Sequence, residues 1–466
     1  MRGHAPEVRR NRNVSPDKRT EKFLDTKAEK LNKQPMYILY NTLLGLAAII
    51  GIPYYFFKMV FTGKYRKSFI QKLGGRQAQI LAGLKNTPRV WVHAVSVGEV
   101  TAAAPIAASL KQLRPDVQII FSTSTETGQE MARRLVKDAS ALIYYPLDIP
   151  FVVRKMISLA KPDIFIMVET ELWPNFLKTC QEYHIKALMV NGRISQRSYH
   201  SYKLTRFFWR IMLRHLSAAA MISEVDASRV KDIGMDSGKI KIMGNAKYDA
   251  LAAMAAPELH KEIAGLFNVR ENERFFVAGS THEGEEKVII EVYQELIKKY
   301  DDFRLIIVPR HIERSKEVLN LLHKNRLDDV ITVSRMKSGQ ERQDERIIVV
   351  DVIGELFKVY SLATIVYCGG SLVPKGGQNI LEAAAWGKLI FYGPSMEDFT
   401  QEKNLLENAE AGVTIRNAEE LLQGIVAALA NPAELQRRGA RGKAIVAANM
   451  GAAARYAELI NRYIGK

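Results

Sequence analysis

Cysteine is almost absent: Cys180 and Cys368 are the only two in 466 residues. Both fall in apolar segments, which excludes a disulfide framework and points to a reducing compartment. The common short catalytic motifs are missing too. There is no Walker A signature, no G-x-G-x-x-G, no H-E-x-x-H and no C-x-x-C. No Asp-x-Asp occurs, so no metal held by that motif is signalled. Acidic residues are the scarcer charge: 50 Asp and Glu against 67 Lys and Arg, a net charge of +17. That imbalance suits anionic partners such as nucleic acid, anionic lipid or a phosphorylated substrate.

One long uncharged stretch stands out. Met36 to Phe57 reads MYILYNTLLGLAAIIGIPYYFF, long enough for a bilayer span. Lys58, Lys64, Arg66, Lys67 and Lys72 follow it, and Tyr54 and Tyr55 suit an interface. No A-x-A cleavage site is present, so the segment reads as an uncleaved anchor. Asn41 and Pro53 leave a helix lying in the membrane surface open as well. The basic cluster after Phe57 places the remainder of the chain on the cytoplasmic side. Residues 1–35 are polar and basic, without an apolar period, and read as a disordered extension.

The remainder is long enough for two domains. The stretch that organises it is Gly369 to Pro394, GGSLVPKGGQNILEAAAWGKLIFYGP. An apolar run, Ala363–Cys368, precedes it as a buried strand. Two glycine pairs follow, then a helical pattern from Asn379, an N-cap residue, then a strand at Leu389–Tyr392. Glycines allow backbone N–H groups to approach a ligand, and a helix N-terminus favours an anion there. Glu382, in the first turn, is placed to reach a hydroxyl such as a ribose. An ordinary βα turn is the plain alternative.

Strands alternate with helices on both sides of this stretch. Val90–Val95, Gln118–Thr123, Ile164–Val168, Ala187–Asn191, Met221–Ser223 and Ile240–Asn245 form one set. Arg274–Ser280, Arg304–His311 and Arg346–Asp351 join Ala363–Cys368 and Leu389–Tyr392 in a second. Such alternation predicts α/β architecture with parallel sheets covered on both faces. Two Rossmann-like domains facing across a cleft follow, over 75–250 and 271–435, with C-terminal helices in 436–466 packing back on the first domain. In parallel sheets ligands bind at the carboxyl ends of the strands, and polar residues collect there: Glu99, Ser122 to Thr125, Glu169, Glu171 and Asn191 to Arg193. Glu99 opens a helix, where the dipole favours an ionised carboxylate able to take a proton from a hydroxyl. Arg310 offers a fork for a phosphate. Lys247, after Gly244-Asn245, is placed to present a positive charge.

These runs resemble those of the 3-deoxy-D-manno-octulosonic acid (Kdo) transferases of lipopolysaccharide synthesis. The matching segments, in family order, are His93 to Glu99 (HAVSVGE), Val168 to Asn175 (VETELWPN) and Ser280 to Glu286 (STHEGEE). Val308 to His311 (VPRH), Gly369 to Val373 (GGSLV) and Gly376 to Glu382 (GGQNILE) follow. The resemblance implies a GT-B fold with a membrane-anchoring N-terminal helix. It also implies inverting transfer of Kdo from CMP-Kdo to a lipid A precursor, with no cofactor, no metal and no nucleic acid partner. Membrane lipids with an anionic surface are the implied further partner. By the same resemblance Glu99 is the general base, and Glu169 or Glu171 with Lys247 stabilises the transition state. Pro309, Arg310, Ile353, Gly354, Glu355, Asn379, Ile380, Leu381 and Glu382 then contact CMP. Gln378 departs from the histidine that many members carry, and the basic extension before Met36 is longer than the family pattern. Two rivals stay open: a membrane-associated GT-B enzyme using a UDP-sugar on a lipid-linked acceptor, and a non-catalytic, membrane-tethered nucleotide-binding module.

Overall fold

A computed structural model describes residues 35–49, 51, 70–75, 77–85 and 87–464. Two seven-stranded sheets carry the chain. The first holds β1 (Arg89–His93), β2 (Gln118–Thr123), β3 (Ala139–Tyr144), β4 (Ile164–Val168), β5 (Lys186–Gly192), β6 (Leu216–Met221) and β7 (Ile240–Ile242). The second holds β8 (Arg274–Thr281), β9 (Phe303–Pro309), β10 (Val330–Thr332), β11 (Ile347–Val349), β12 (Ala363–Cys368), β13 (Leu389–Tyr392) and β14 (Gly412–Thr414). Every ladder is parallel. The strand orders are β3-β2-β1-β4-β5-β6-β7 and β10-β11-β9-β8-β12-β13-β14. Each sheet therefore reverses its winding beside its first strand, between β1 and β4 and between β8 and β12. Those reversals open the crevices where ligands of such sheets bind.

Apolar residues fill both faces of each sheet because successive side chains point to opposite sides. Along β1, Val90 and Val92 enter one core and Trp91 the other, each essentially fully buried. Along β8, Phe275 and Val277 face one core and Phe276 and Ala278 the other. Full burial of one such large side chain contributes roughly 1.5–3 kcal/mol. This two-sided covering is why the strands read as continuous apolar runs.

Two helices, Lys247–Met254 and Pro257–Leu266, connect the sheets. At the other end of the chain, helix Pro432–Ala448 stays with the second sheet through Val446. The last helix, Ala452–Tyr463, crosses back: Tyr456, Leu459 and Ile460 pack with Val100 and Ile106 of the first domain. Asp249 fixes the crossing by accepting the backbone N–H of Gly451 at 2.7 Å and of Ala453 at 3.3 Å.

The uncharged segment at 36–57 is only partly described, since residues 50 and 52–57 lie outside the described residues. Residues 35–49 are helical. Tyr37 is buried and its hydroxyl lies 2.7 Å from His215 Nε2. Tyr40 donates to Asp148 at 3.0 Å, and the Asn41 amide pairs with that of Asn175. Asp148 also accepts the backbone N–H groups of Asn175 and Phe176, capping the helix Pro174–Glu182. Ile38, Leu39, Leu43, Leu46 and Ile49 remain exposed. Among the described residues no helix is long and apolar enough to cross a membrane, so the expected spanning anchor does not emerge from the described part of the segment.

Candidate active site

The carboxylates of the first domain come from the strands that flank its reversal. Helix Val97–Leu113 follows β1 and carries Glu99 in its first turn, where its carboxylate accepts the backbone N–H of Ser96. Glu169 and Glu171 follow β4. Glu169 has a φ of 62°, a left-handed conformation that costs a β-carbon residue on the order of 1–3 kcal/mol and persists where surrounding structure holds it. Lys247 supplies part of that hold, its ammonium 2.7 Å from the Glu169 carboxylate. Lys247 is itself placed from β5: the Asn191 side chain accepts the backbone N–H of Ala246 at 2.9 Å.

The cavity lined by the three glutamates measures about 490 Å³. Glu99, Glu169, Thr170, Glu171 and Arg193 form one wall; Lys375, Gly377, Gln378, Asp398 and Phe399 of the second domain form the opposite one. Arg193 spans the gap, donating to the Asp398 carbonyl and lying over the Phe399 ring. Crowding three glutamates has an electrostatic cost. Burial, with the negative charges of Glu99 and Glu169, pushes the Glu171 carboxyl up to about 7. Burial also raises Glu99, as does Glu169, while the Ser96 N–H and Lys247 pull it down. The net rise corrects the dipole argument: desolvation outweighs the helix terminus. A carboxyl raised toward neutral pH is a better match for moving a proton to and from a hydroxyl. Among the described residues no group of three His, Cys, Asp or Glu is arranged to hold a metal ion.

The second domain assembles its site differently. Pro309 ends β9 and Arg310 follows it, Ile353 to Glu355 follow β11, and Asn379 to Glu382 follow β12. These segments stand at neighbouring strand ends around the β8–β12 reversal; they do not line the cavity. Ile353 is 79% exposed beside Gly354 at φ 94°, an apolar side chain offered to solvent. Glu355 is buried and bound to Lys337 at 2.6 Å and Lys358 at 3.4 Å. Burial opposes its charge, but the two lysines hold its carboxyl below the ordinary value. The helix after Asn379 is shorter than the apolar pattern predicts, covering Leu381–Ala385. Asn379 accepts from the Leu381 N–H at 3.3 Å and donates to Glu382 at 3.1 Å. Burial pushes Glu382 up to about 7 against the pull of Asn379 and Arg310.

The first glycine pair does not present a free cradle. The fully buried Glu285 carboxylate accepts the N–H groups of Gly370, Ser371 and Leu372 at 2.7, 3.0 and 2.9 Å. It also accepts from His282 N–H at 2.9 Å and Tyr367 Oη at 2.7 Å. Gly369 is needed for packing, because a Cβ there would stand 2.4 Å from the Ser280 carbonyl oxygen. The loop is thus tied to the protein's own carboxylate, and among the described residues the side chains of Lys375 and Gln378 farther on have no hydrogen-bond partner. Sequence reasoning missed the role of Glu285. The signal was present in the spacing His282-x-x-Glu285, the same as Ser96-x-x-Glu99.

Comparison with known proteins gives a consistent placement. Residues 66–250 match the family described as 3-deoxy-D-manno-octulosonic-acid transferase (kdotransferase). The 3-deoxy-D-manno-octulosonic acid transferase of Haemophilus influenzae is 32% identical over 377 residues, covering 80% of this chain and 87% of that one. Among solved structures, a glycosyltransferase from Rickettsia africae superposes with a TM-score of 0.53 at 17% identity, covering 81% of this chain and 98% of that one. The UDP-GlcNAc 2-epimerase of Neisseria meningitidis bound to UDP-GlcNAc superposes at 0.55 and 12% identity, covering 80% and 99%. The two superpositions speak to the fold alone, a GT-B-like pair of facing sheets. The identity to the Haemophilus influenzae enzyme over most of both chains leaves one conclusion: the chain belongs to the 3-deoxy-D-manno-octulosonic acid transferase family of glycosyltransferases.

Proposed function

We propose that the chain transfers Kdo from CMP-Kdo to a lipid A precursor, inverting the anomeric carbon in one displacement. The observation that carries this reading is the cavity with Glu99, Glu169 and Glu171 on one wall and the Lys375–Gln378 loop on the other. Glu99 takes the proton of the acceptor hydroxyl. The oxygen forms a bond to the anomeric carbon as the bond to the phosphate oxygen breaks, and that electron pair leaves with CMP. Lys247, held by Glu169, offsets the charge that builds during the exchange. Arg310 and the segment Asn379 to Glu382 hold the nucleotide, with Pro309 and Ile353 to Glu355 beside it.

The acceptor is lipid-borne, and the chain's basic excess favours an anionic membrane surface. The exposed Ile38, Leu39, Leu43, Leu46 and Ile49 support a role for the 36–57 segment as the anchor, with the two domains on the cytoplasmic side of the inner membrane. The test is a product assay with CMP-Kdo and a lipid A precursor, read by mass spectrometry. A glycolipid heavier by one or more Kdo units, with CMP released, is expected. Release of CMP without a heavier glycolipid, or activity with UDP-sugars only, would refute it.

A further inference from the structure

The cavity that holds Glu99 is crowded with negative charge. Four of its lining side chains are carboxylates, Glu99, Glu169, Glu171 and Asp398, against two cations, Arg193 and Lys375. Any sugar acid placed within reach of Glu99 brings a further carboxylate into this field, and needs a local cation to remain there. Arg193 is already committed to the Asp398 carbonyl and the Phe399 ring. Lys247 is committed to Glu169. Lys375 is exposed, and among the described residues its ammonium has no ion-pair or hydrogen-bond partner.

The backbone that carries Lys375 is fixed on both sides. Its own N–H binds the Val373 carbonyl at 2.7 Å, and the Gly376 N–H binds Ser395 Oγ at 3.0 Å. The Gly377 N–H reaches Gly370 at 2.8 Å, and the Gly376 carbonyl accepts from Asp398 at 3.1 Å. A flexible charged side chain thus stands on an anchored base, opposite the proposed proton acceptor. Arg310, at the end of β9, does not line the cavity, so the nucleotide phosphate and the transferred sugar fall to different cations.

We infer that Lys375 binds the carboxylate of the transferred sugar acid and so selects an acidic sugar over a neutral one. The inference rests on the reading of the donor as CMP-Kdo. Two ligands of similar charge separate a contact from a general field effect. CMP carries roughly −2 on its terminal phosphate near neutral pH. CMP-Kdo carries about the same total, one charge on the phosphodiester and one on the sugar carboxylate. A diffuse loss of positive potential weakens both alike, whereas a lost contact to the sugar weakens only the second.

The experiment measures binding of CMP and of CMP-Kdo, without acceptor, to the full chain and to its Lys375→Met and Lys375→Arg variants. For Lys375→Met the expected result is CMP affinity within about twofold of the unaltered chain and CMP-Kdo affinity lower by about tenfold or more. Lys375→Arg should restore most of that loss. Equal weakening of both ligands, or no weakening of either, overturns the assignment. If the unaltered protein binds neither ligand, the donor reading itself fails and takes this inference with it. A melting curve for each variant confirms folding, which an exposed lysine should leave intact.

Discussion

Glu99 and Glu285 occupy corresponding places in the two halves of the molecule. Each follows the first strand of its sheet, at the start of the helix after it, and each accepts the backbone N–H three residues earlier. Their surroundings then diverge. Glu99 is half-buried on a cavity wall beside two other glutamates. Glu285 is fully buried and receives four backbone N–H groups and a tyrosine hydroxyl. One strand-to-helix corner therefore serves two ends. A carboxylate with open coordination can exchange a proton; one whose lone pairs are filled can only hold its neighbours in place.

The largest effect expected from breaking this contrast is on chemistry. Glu99→Gln should lower transfer by about 10²–10⁴-fold, the usual worth of a positioned base, while CMP binding by calorimetry stays within about twofold. Near-normal turnover would remove Glu99 from its role. Glu285→Gln should act in the opposite register. It places an amide N–H against backbone donors, so stability should fall by roughly 2–4 kcal/mol in chemical denaturation, with CMP affinity falling too. A melting profile like that of the unaltered chain would show that the loop does not depend on this carboxylate. Arg310→Ala should weaken CMP binding by about tenfold, without the stability loss of Glu285→Gln; unchanged affinity would place the phosphate elsewhere.

The smallest effect is a shift in pH dependence. Glu99 must be deprotonated to accept a proton, so the rate rises with pH through its pKa. Glu169 raises that pKa and Lys247 lowers it. Glu169→Gln should therefore move the acid limb of the rate profile to lower pH, and Lys247→Met should move it to higher pH. A limb that moves for Glu169→Gln but stays in place for Lys247→Met would belong to Glu171, whose carboxyl is pushed up to about 7 with the help of Glu169.

Much of this was visible in the residues. The strands at Gln118–Thr123, Ile164–Val168, Ala363–Cys368 and Leu389–Tyr392 end where their apolar runs end, because parallel strands are buried on both faces. The runs failed where that signal is weak. β6 lies at Leu216–Met221, not Met221–Ser223, because three of its residues are alanines with little β preference. β10 and β14 are three-residue strands at the edges of the second sheet, and β3 carries the weakly patterned ASALIY. The acidic cluster was legible as polar residues after strands. The pairing of Lys247 with Glu169 was not, since 78 residues separate them. The glycine stretch misled in one respect: its composition shows that backbone N–H groups turn inward, but not whether a ligand or a glutamate 85 residues earlier receives them.

The central claim is that a nucleotide held by the second domain places its sugar opposite a base from the first. The most direct measurement is a structure of the protein with CMP bound. The account predicts the phosphate beside Arg310 and the Asn379 to Glu382 segment, with its sugar-bearing oxygen toward the cavity and the Glu99 carboxylate facing it. CMP seated away from the gap between the domains, or Glu99 turned out of that gap, would contradict it.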